Sequence, residues 1–307
     1  PMPTATFTLG GGDATPTPGS SGGAGTPTPG GTAGGTATPD GSATSTTGSG
    51  ATPSTAPTGP GTPTPQGTPS VQSLEAVLDD FLCYGTKPSR GGPPFVPALG
   101  VTLKDTLENF SFNIRKPIAL CAPADKDGNG IADPTISLER YRLQRDRRVP
   151  RFIRSTRRVA TALGTLSLDT VRPDQLLIPT AQSAVGAPAA PDMTEHDVDR
   201  YKCYRVRVTK KTPKVPFDLQ VTATDGFSSP ARRFKVKSPT RLCVATDANL
   251  ANLRNPSANL LCYPVKLVRG EPKHVRRLGL YVDNELGAAR VDTVRETELC
   301  LPALLLP

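Results

Sequence analysis

The chain has no tryptophan and only two histidines in 307 residues, and aromatic residues make up 5% of it. Readers of single-stranded nucleic acid stack bases on aromatic rings along a basic groove, so sequence-specific nucleic-acid recognition is not expected. The two histidines stand apart. His196 lies in an Ala/Pro-rich connection and His274 in a basic stretch. Neither has a neighbouring serine, cysteine or carboxylate pattern that reads as a nucleophile system. Beyond the Gly/Ser-rich first seventy residues there is no Gly-x-Ser-x-Gly, no glycine-rich phosphate loop after a strand and no histidine metal pair. No Cys-x-x-Cys occurs, which argues against zinc. No stretch approaches the roughly 18 apolar residues of a membrane-spanning helix. These absences point away from an enzyme, and no cofactor is expected.

Residues 1–70 lack charge and apolar mass. Their only charged residues are Asp13 and Asp40, among Thr, Pro, Gly, Ser and Ala. Such a composition cannot bury enough apolar surface to offset chain entropy, so residues 1–72 are expected to be a disordered tether. A flexible coil of that length spans roughly 45–50 Å. Ser and Thr beside Pro fit an O-glycosylated stalk, and equally an unmodified spacer. The net charge of the whole chain is +9, so the remainder carries more positive charge than the whole. A chain that starts at Pro1 is read as one whose signal peptide was removed, or as part of a longer protein.

What the chain does have is a recurring cysteine motif. Phe81-Leu82-Cys83-Tyr84 returns as Tyr201-Lys202-Cys203-Tyr204 and as Leu260-Leu261-Cys262-Tyr263. Each has a closing partner: Leu120-Cys121, Leu242-Cys243 and Leu299-Cys300. A second unit lies between the first two. It reads Tyr141-Arg142-Leu143-Gln144 and closes with Leu176-Leu177-Ile178-Pro179, with leucine in place of both cysteines. Loss of both cysteines together is what a bridge within each unit produces. We therefore expect Cys83–Cys121, Cys203–Cys243 and Cys262–Cys300. Each closes a loop of about forty residues, worth roughly 4 kcal/mol in the chain-entropy model. Bridges of this kind imply an oxidising compartment, so the expected location is extracellular or in the cell envelope.

The folded part reads as all-β. Tyr204, Val206 and Val208 alternate with charged residues, as do Tyr263, Val265 and Leu267, and Phe110, Phe112 and Ile114 with polar ones. Residues 75–80 could form a single helical turn. A second level of repetition relates Leu99-x-Val101-Thr102-x-x-Asp105 to Leu219-x-Val221-Thr222-x-x-Asp225. Likewise Asp169-Thr170-Val171-Arg172 recurs as Asp292-Thr293-Val294-Arg295. The four units of about sixty residues thus run A-B-A-B. The expectation is two tandem antiparallel β-sandwich-like domains, residues 73–182 and 198–307, joined by a linker over 183–197. The recurring Asp-Thr-Val-Arg is read as a strand-edge ion pair.

The segments Phe81–Tyr84, Lys116-Pro117 followed by Leu120-Cys121, Ala124-Asp125-Lys126, Tyr201–Tyr204 and Gly270–Val275 resemble a tandem disulfide-containing β-repeat. That family is a domain of unknown function found in exported proteins of myxobacteria and related soil bacteria. The resemblance covers residues 79–302. It implies an all-β exported module and brings no activity and no catalytic residues.

Two local features suggest ligands. Asp125, Asp127, Asn129, Ile131 and Asp133 match positions 1, 3, 5, 7 and 9 of a calcium loop, with Gly130 at position 6. Position 12 is Ile136 rather than a bidentate acid, so calcium, if bound, is expected to be held weakly. Asp and Gly are equally the residues of a polar turn. Nine arginines crowd the second unit: Arg140, Arg142, Arg145, Arg147, Arg148, Arg151, Arg154, Arg157 and Arg158. Guanidinium forks suit sulfate, phosphate and carboxylate, so an anionic polysaccharide, lipopolysaccharide or extracellular DNA is the expected class of partner. A solvated face on a basic protein is the simpler alternative. The function expected is a non-catalytic, exported binding, adhesion or structural module. Alternatives are an accessory part of a secreted polysaccharide hydrolase and a calcium-stabilised adhesin.

Overall fold

In the computed structural model, residues 70–75, 78–248 and 253–307 are described. The expected tether falls almost wholly outside them, as do residues 76–77 of the expected helical turn. A short helix, α1, covers Val71–Glu75. All other regular structure among the described residues is strand. Four units follow one another. The first holds β1 (Asp80–Pro88), β2 (Ala98–Lys104) and β3 (Asn109–Lys126). The second holds β4 (Ser137–Arg145), β5 (Thr156–Thr161) and β6 (Gly164–Ser183). The third holds β7 (Tyr201–Val208), β8 (Gln220–Asp225), β9 (Ser228–Val236), β10 (Arg241–Ala245) and β11 (Asp247–Ala248). The fourth holds β12 (Asn259–Leu267), β13 (Leu280–Asp283) and β14 (Ala289–Leu306).

The all-β, antiparallel class expected from the sequence is the one the chain adopts. Its form differs from two sandwiches in a row. The opening and closing strands of the units pair around a complete ring, in the order β1, β3, β4, β6, β7, β10, β12, β14 and back to β1. Every pairing is antiparallel, so the ring is an eight-stranded up-and-down barrel with no open edge. The described residues from 70 onward form one compact unit, and the stretch 183–197 is a connection within it.

The ring explains why Phe-Leu-Cys-Tyr has no alternation. Both faces are buried, and strands buried on both faces read as continuous apolar runs. Phe81 and Cys83 face one core, which also holds Tyr201 and all the other cysteines. Leu82 and Tyr84 face a second core on the outer wall. That wall is covered by the remaining strands, which reach across the ring in reciprocal pairs. The end of β3 in unit one pairs with β8 of unit three, and β11 after β10 in unit three pairs with β2 of unit one. The end of β6 pairs with β13, and the end of β14 with β5. Units one and three clasp each other, and so do two and four.

The three expected bridges are present: Cys83–Cys121, Cys203–Cys243 and Cys262–Cys300, with sequence separations of 38, 40 and 38. In each the two cysteines are direct partners in register. In the second unit Tyr141 takes the place of Tyr84, and Arg140 is the register partner of Leu177. The residue standing for the first cysteine is therefore Arg140, where the sequence suggested Leu143. Leu177 stands for the second, as expected.

Candidate site at the mouth of the barrel

Opening strands alternate with closing strands around the ring, so β1, β4, β7 and β12 all run the same way. Four loops therefore leave the barrel at one end: residues 89–97, 146–155, 209–219 and 268–279. The connections between units lie at the other end. Two residues from a cysteine along a strand, the side chain faces the same way. On that rule Arg205, Arg241, Pro264 and Glu298 extend the inner face from Cys203, Cys243, Cys262 and Cys300 toward the end with the four loops. All four line a groove of about 670 Å³ there, with Arg154, Arg172 and Arg207.

The floor of this mouth is a buried charge pair. Arg140 is buried, and its Nη2 lies 3.3 Å from Cys83 Sγ and 3.5 Å from Cys300 Sγ. Its Nη1 pairs with Glu298. Arg241 Nη1 reaches the other oxygen of Glu298 at 2.5 Å, and Thr240 Oγ1 donates to it at 3.0 Å. Burial alone would raise the Glu298 carboxyl, but Arg140 and Arg241 outweigh it and hold the group below its ordinary range. Above the floor, Arg205 bonds Asp174 at 2.8 Å. Arg154, Arg172 and Arg207 are exposed and form no ion pair among the described residues. Three uncompensated guanidinium groups thus meet at one open hollow whose base is already neutralised.

The arginine run of the second unit does not act as one face. Arg140 is interior. Arg145 pairs with Glu108 at 3.4 Å and lies over the Phe110 ring. Arg142, Arg147, Arg148, Arg151, Arg157 and Arg158 are exposed, and only Arg154 of the nine lines the groove. The groove draws its other arginines from β6, β7 and β10. A related hollow of about 750 Å³ is lined by Lys237, Lys266, Lys273 and Arg295, with Val294-Arg295 repeating the Val171-Arg172 of the first.

The recurring Asp-Thr-Val-Arg is a clasp rather than an ion pair. Thr170 and Thr293 are buried and accept the amides of Ser155 and Arg277 at 3.0 and 2.9 Å. Asp169 accepts the hydroxyls of Thr156 and Thr209, and Asp292 those of Ser89 and the Gly279 amide. The two arginines are left for the grooves.

The calcium-like loop lies at the opposite end of the barrel and is a hydrogen-bonded turn. Asp125 Oδ1 accepts the Gly130 amide at 3.1 Å, Asp127 Oδ1 the Thr222 amide at 2.8 Å, and Asp133 Oδ1 the Thr135 amide at 2.9 Å. Asp127 has φ 56°, in the left-handed region that Asp tolerates. Asn129 is exposed and Ile131 half-buried. Asp79 clasps the loop through the amides of Ala132 and Asp133. Among the described residues no group of three or more His, Cys, Asp or Glu gathers as a metal site would need.

His274 is half of a ring stack on Tyr84, with centroids 4.7 Å apart, and its Nε2 meets Thr293 Oγ1 at 2.7 Å. Burial pushes this imidazole down, against the pull of Glu296. His196 is buried, and its Nδ1 accepts the Val198 amide. Comparison with protein-family models, with curated proteins and with solved structures finds no match to this chain.

Proposed function

We propose that the barrel is a non-catalytic binding module of an exported protein and that it takes an anionic polymer at its arginine-lined mouth. The observation that carries this reading is the convergence of Arg154, Arg172, Arg205, Arg207 and Arg241 on one groove. Guanidinium forks match sulfate, phosphate and carboxylate in geometry as well as charge. The groove is open, so it suits a segment of a chain more than an enclosed small molecule. Three bridges buried in the core fit an oxidising compartment. Among the described residues no helix is long and apolar enough to cross a membrane.

The test is binding of the full oxidised chain to dextran, dextran sulfate and polygalacturonate across a salt series. The expected result is binding to a charged polymer that persists near 0.15 M salt, where the Debye length is about 8 Å and loose surface attraction is largely screened. R172Q/R207Q should weaken it by about tenfold or more, as loss of two charge-assisted contacts would. If that variant binds as before while R147Q/R148Q does not, the anion site is the loop and not the groove. Indifferent binding to every anion that vanishes by 0.15 M salt would overturn the reading.

A further inference from the structure

The four loops that leave the barrel at its mouth share one design. Phe95 stacks on Tyr141 with centroids 5.5 Å apart, Phe152 on Tyr204 at 5.1 Å, and His274 on Tyr84 at 4.7 Å. In each case a ring from one unit's loop seats on the tyrosine of the next unit round the ring. In unit three Val215 packs on the outer core that holds Tyr84, Tyr204 and Tyr263. The loop is thereby pinned, and the residue beyond the anchor is thrown outward. Val96 is 79% exposed, Ile153 85% and Val275 72%; in unit three Phe217 is 99% exposed. Of the seven large apolar side chains most exposed among the described residues, five lie in these four loops: Val96, Ile153, Phe217, Val275 and Leu278.

An outward apolar side chain in one loop needs no explanation, because folded surfaces carry many. The same event in four equivalent loops does, since each loop is held by its own packing contact. The charge of these loops is equally biased. Residues 89–97, 146–155, 209–219 and 268–279 hold twelve Lys and Arg against three Asp and Glu. Lys210, Lys211, Arg269, Lys273 and Arg276 are exposed. Cations interleaved with projecting aliphatic and aromatic side chains match an interface that is anionic at its surface and apolar just beneath. A soluble polyanion would use the cations and leave the apolar tips in water.

We infer that the loop-bearing end of the barrel docks on an anionic lipid bilayer, with Val96, Ile153, Phe217 and Val275 entering the headgroup–acyl boundary and the flanking Lys and Arg meeting lipid phosphates. Four shallow anchors, none of them a helix, give reversible attachment whose strength depends on lipid charge. The surface uses the loops, and of the groove's arginines only Arg154 belongs to one of them.

The chain has no tryptophan, so F217W makes a clean reporter. Full-length oxidised F217W is mixed with vesicles of phosphatidylcholine alone, and with vesicles carrying about a third phosphatidylglycerol, an anionic surface of the kind that attracts basic loops. The expected result is co-sedimentation and a blue-shifted tryptophan emission with the anionic vesicles only. In the second arm V96S/I153S/F217S/V275S should lose about tenfold or more in vesicle affinity while still binding dextran sulfate, because membrane affinity scales with buried apolar area. Co-sedimentation without a blue shift, or with undiminished affinity in the serine variant, would show attraction by charge alone and overturn the inference. No co-sedimentation would also overturn it. R172Q/R207Q separates the two proposals. It should lose dextran sulfate and keep the anionic vesicles.

Discussion

Tyr84 donates a hydrogen bond of 2.7 Å to Asp225, and Tyr204 donates one of 2.7 Å to Asp105. The tyrosine of each A unit therefore reaches the aspartate of the other. Both tyrosines follow a bridged cysteine, and both aspartates end the repeated Leu-x-Val-Thr-x-x-Asp. Two motifs that look independent along the chain are the two halves of one contact made twice. Around Tyr204 the contact is enlarged by Lys202, fully buried, which meets Asp105 at 3.2 Å and Glu108 at 3.4 Å.

Tyr84→Phe removes the donor and leaves Asp225 to Ser228 and the Phe227 amide. It should cost about 1–3 kcal/mol, the range for a buried acceptor losing its partner. Tyr204→Phe should cost at least as much, because it strands an acid in a larger charged cluster. Chemical denaturation of the two single variants and the double variant checks this. Well-separated contacts should add to within about 0.5 kcal/mol.

Glu139 is buried against Tyr141, Asn284 and Thr180, and burial pushes its carboxyl up to about 7. The folded state therefore holds this proton more tightly than the unfolded chain does. Stability from this group is full below the unfolded value near 4.5 and is lost as pH rises from there through about 7. The loss should be about 3 kcal/mol. In Glu139→Gln the proton no longer matters, so its stability should fall less than the wild type's between pH 5 and 8, as read by denaturant midpoints at each pH.

Arg140 and Glu298 are both buried, and each compensates the other. Arg140→Met leaves Glu298 with Arg241 and should cost about 3–5 kcal/mol, the range for breaking a buried pair from one side. Arg140→Met with Glu298→Met removes both charges and should recover most of that loss, although Arg241 then turns to Asp174, already 3.4 Å away. Thermal unfolding of the three proteins is the measurement.

Much of the fold is legible in the sequence. The bridges are, because the repeat selects one pairing among fifteen. The strands are, because short apolar runs are broken by Pro and Gly. Closure into a ring is not. It depends on β14 finding β1, whose residues Phe81 and Cys300 are partners across most of the folded chain, and no local pattern encodes that register. Arg140 could have been found by aligning units on the tyrosine, which places Arg140-Tyr141 over Cys83-Tyr84. The groove was hidden for a different reason. Arg172, Arg205, Arg207 and Arg241 lie on three strands and make no run. Their one local trace is Arg205-Val206-Arg207, where a buried valine sits between two exposed arginines. That alternation marks where the inner face of β7 leaves the core and opens to water.

The reciprocity of units one and three has a consequence for how such a ring can arise. When contact i to j is matched by j to i, the interface is isologous, the hallmark of a two-fold dimer. Here both partners are in one polypeptide, and the connection over residues 184–200 replaces what would otherwise be an encounter between two molecules. A single A-B half has four barrel strands and two raw edges, which a second copy of itself would cover. The barrel has the geometry of a homodimer fused end to end. The two halves are not identical: where the other units carry a bridge, the second unit sets Arg140 opposite Leu177.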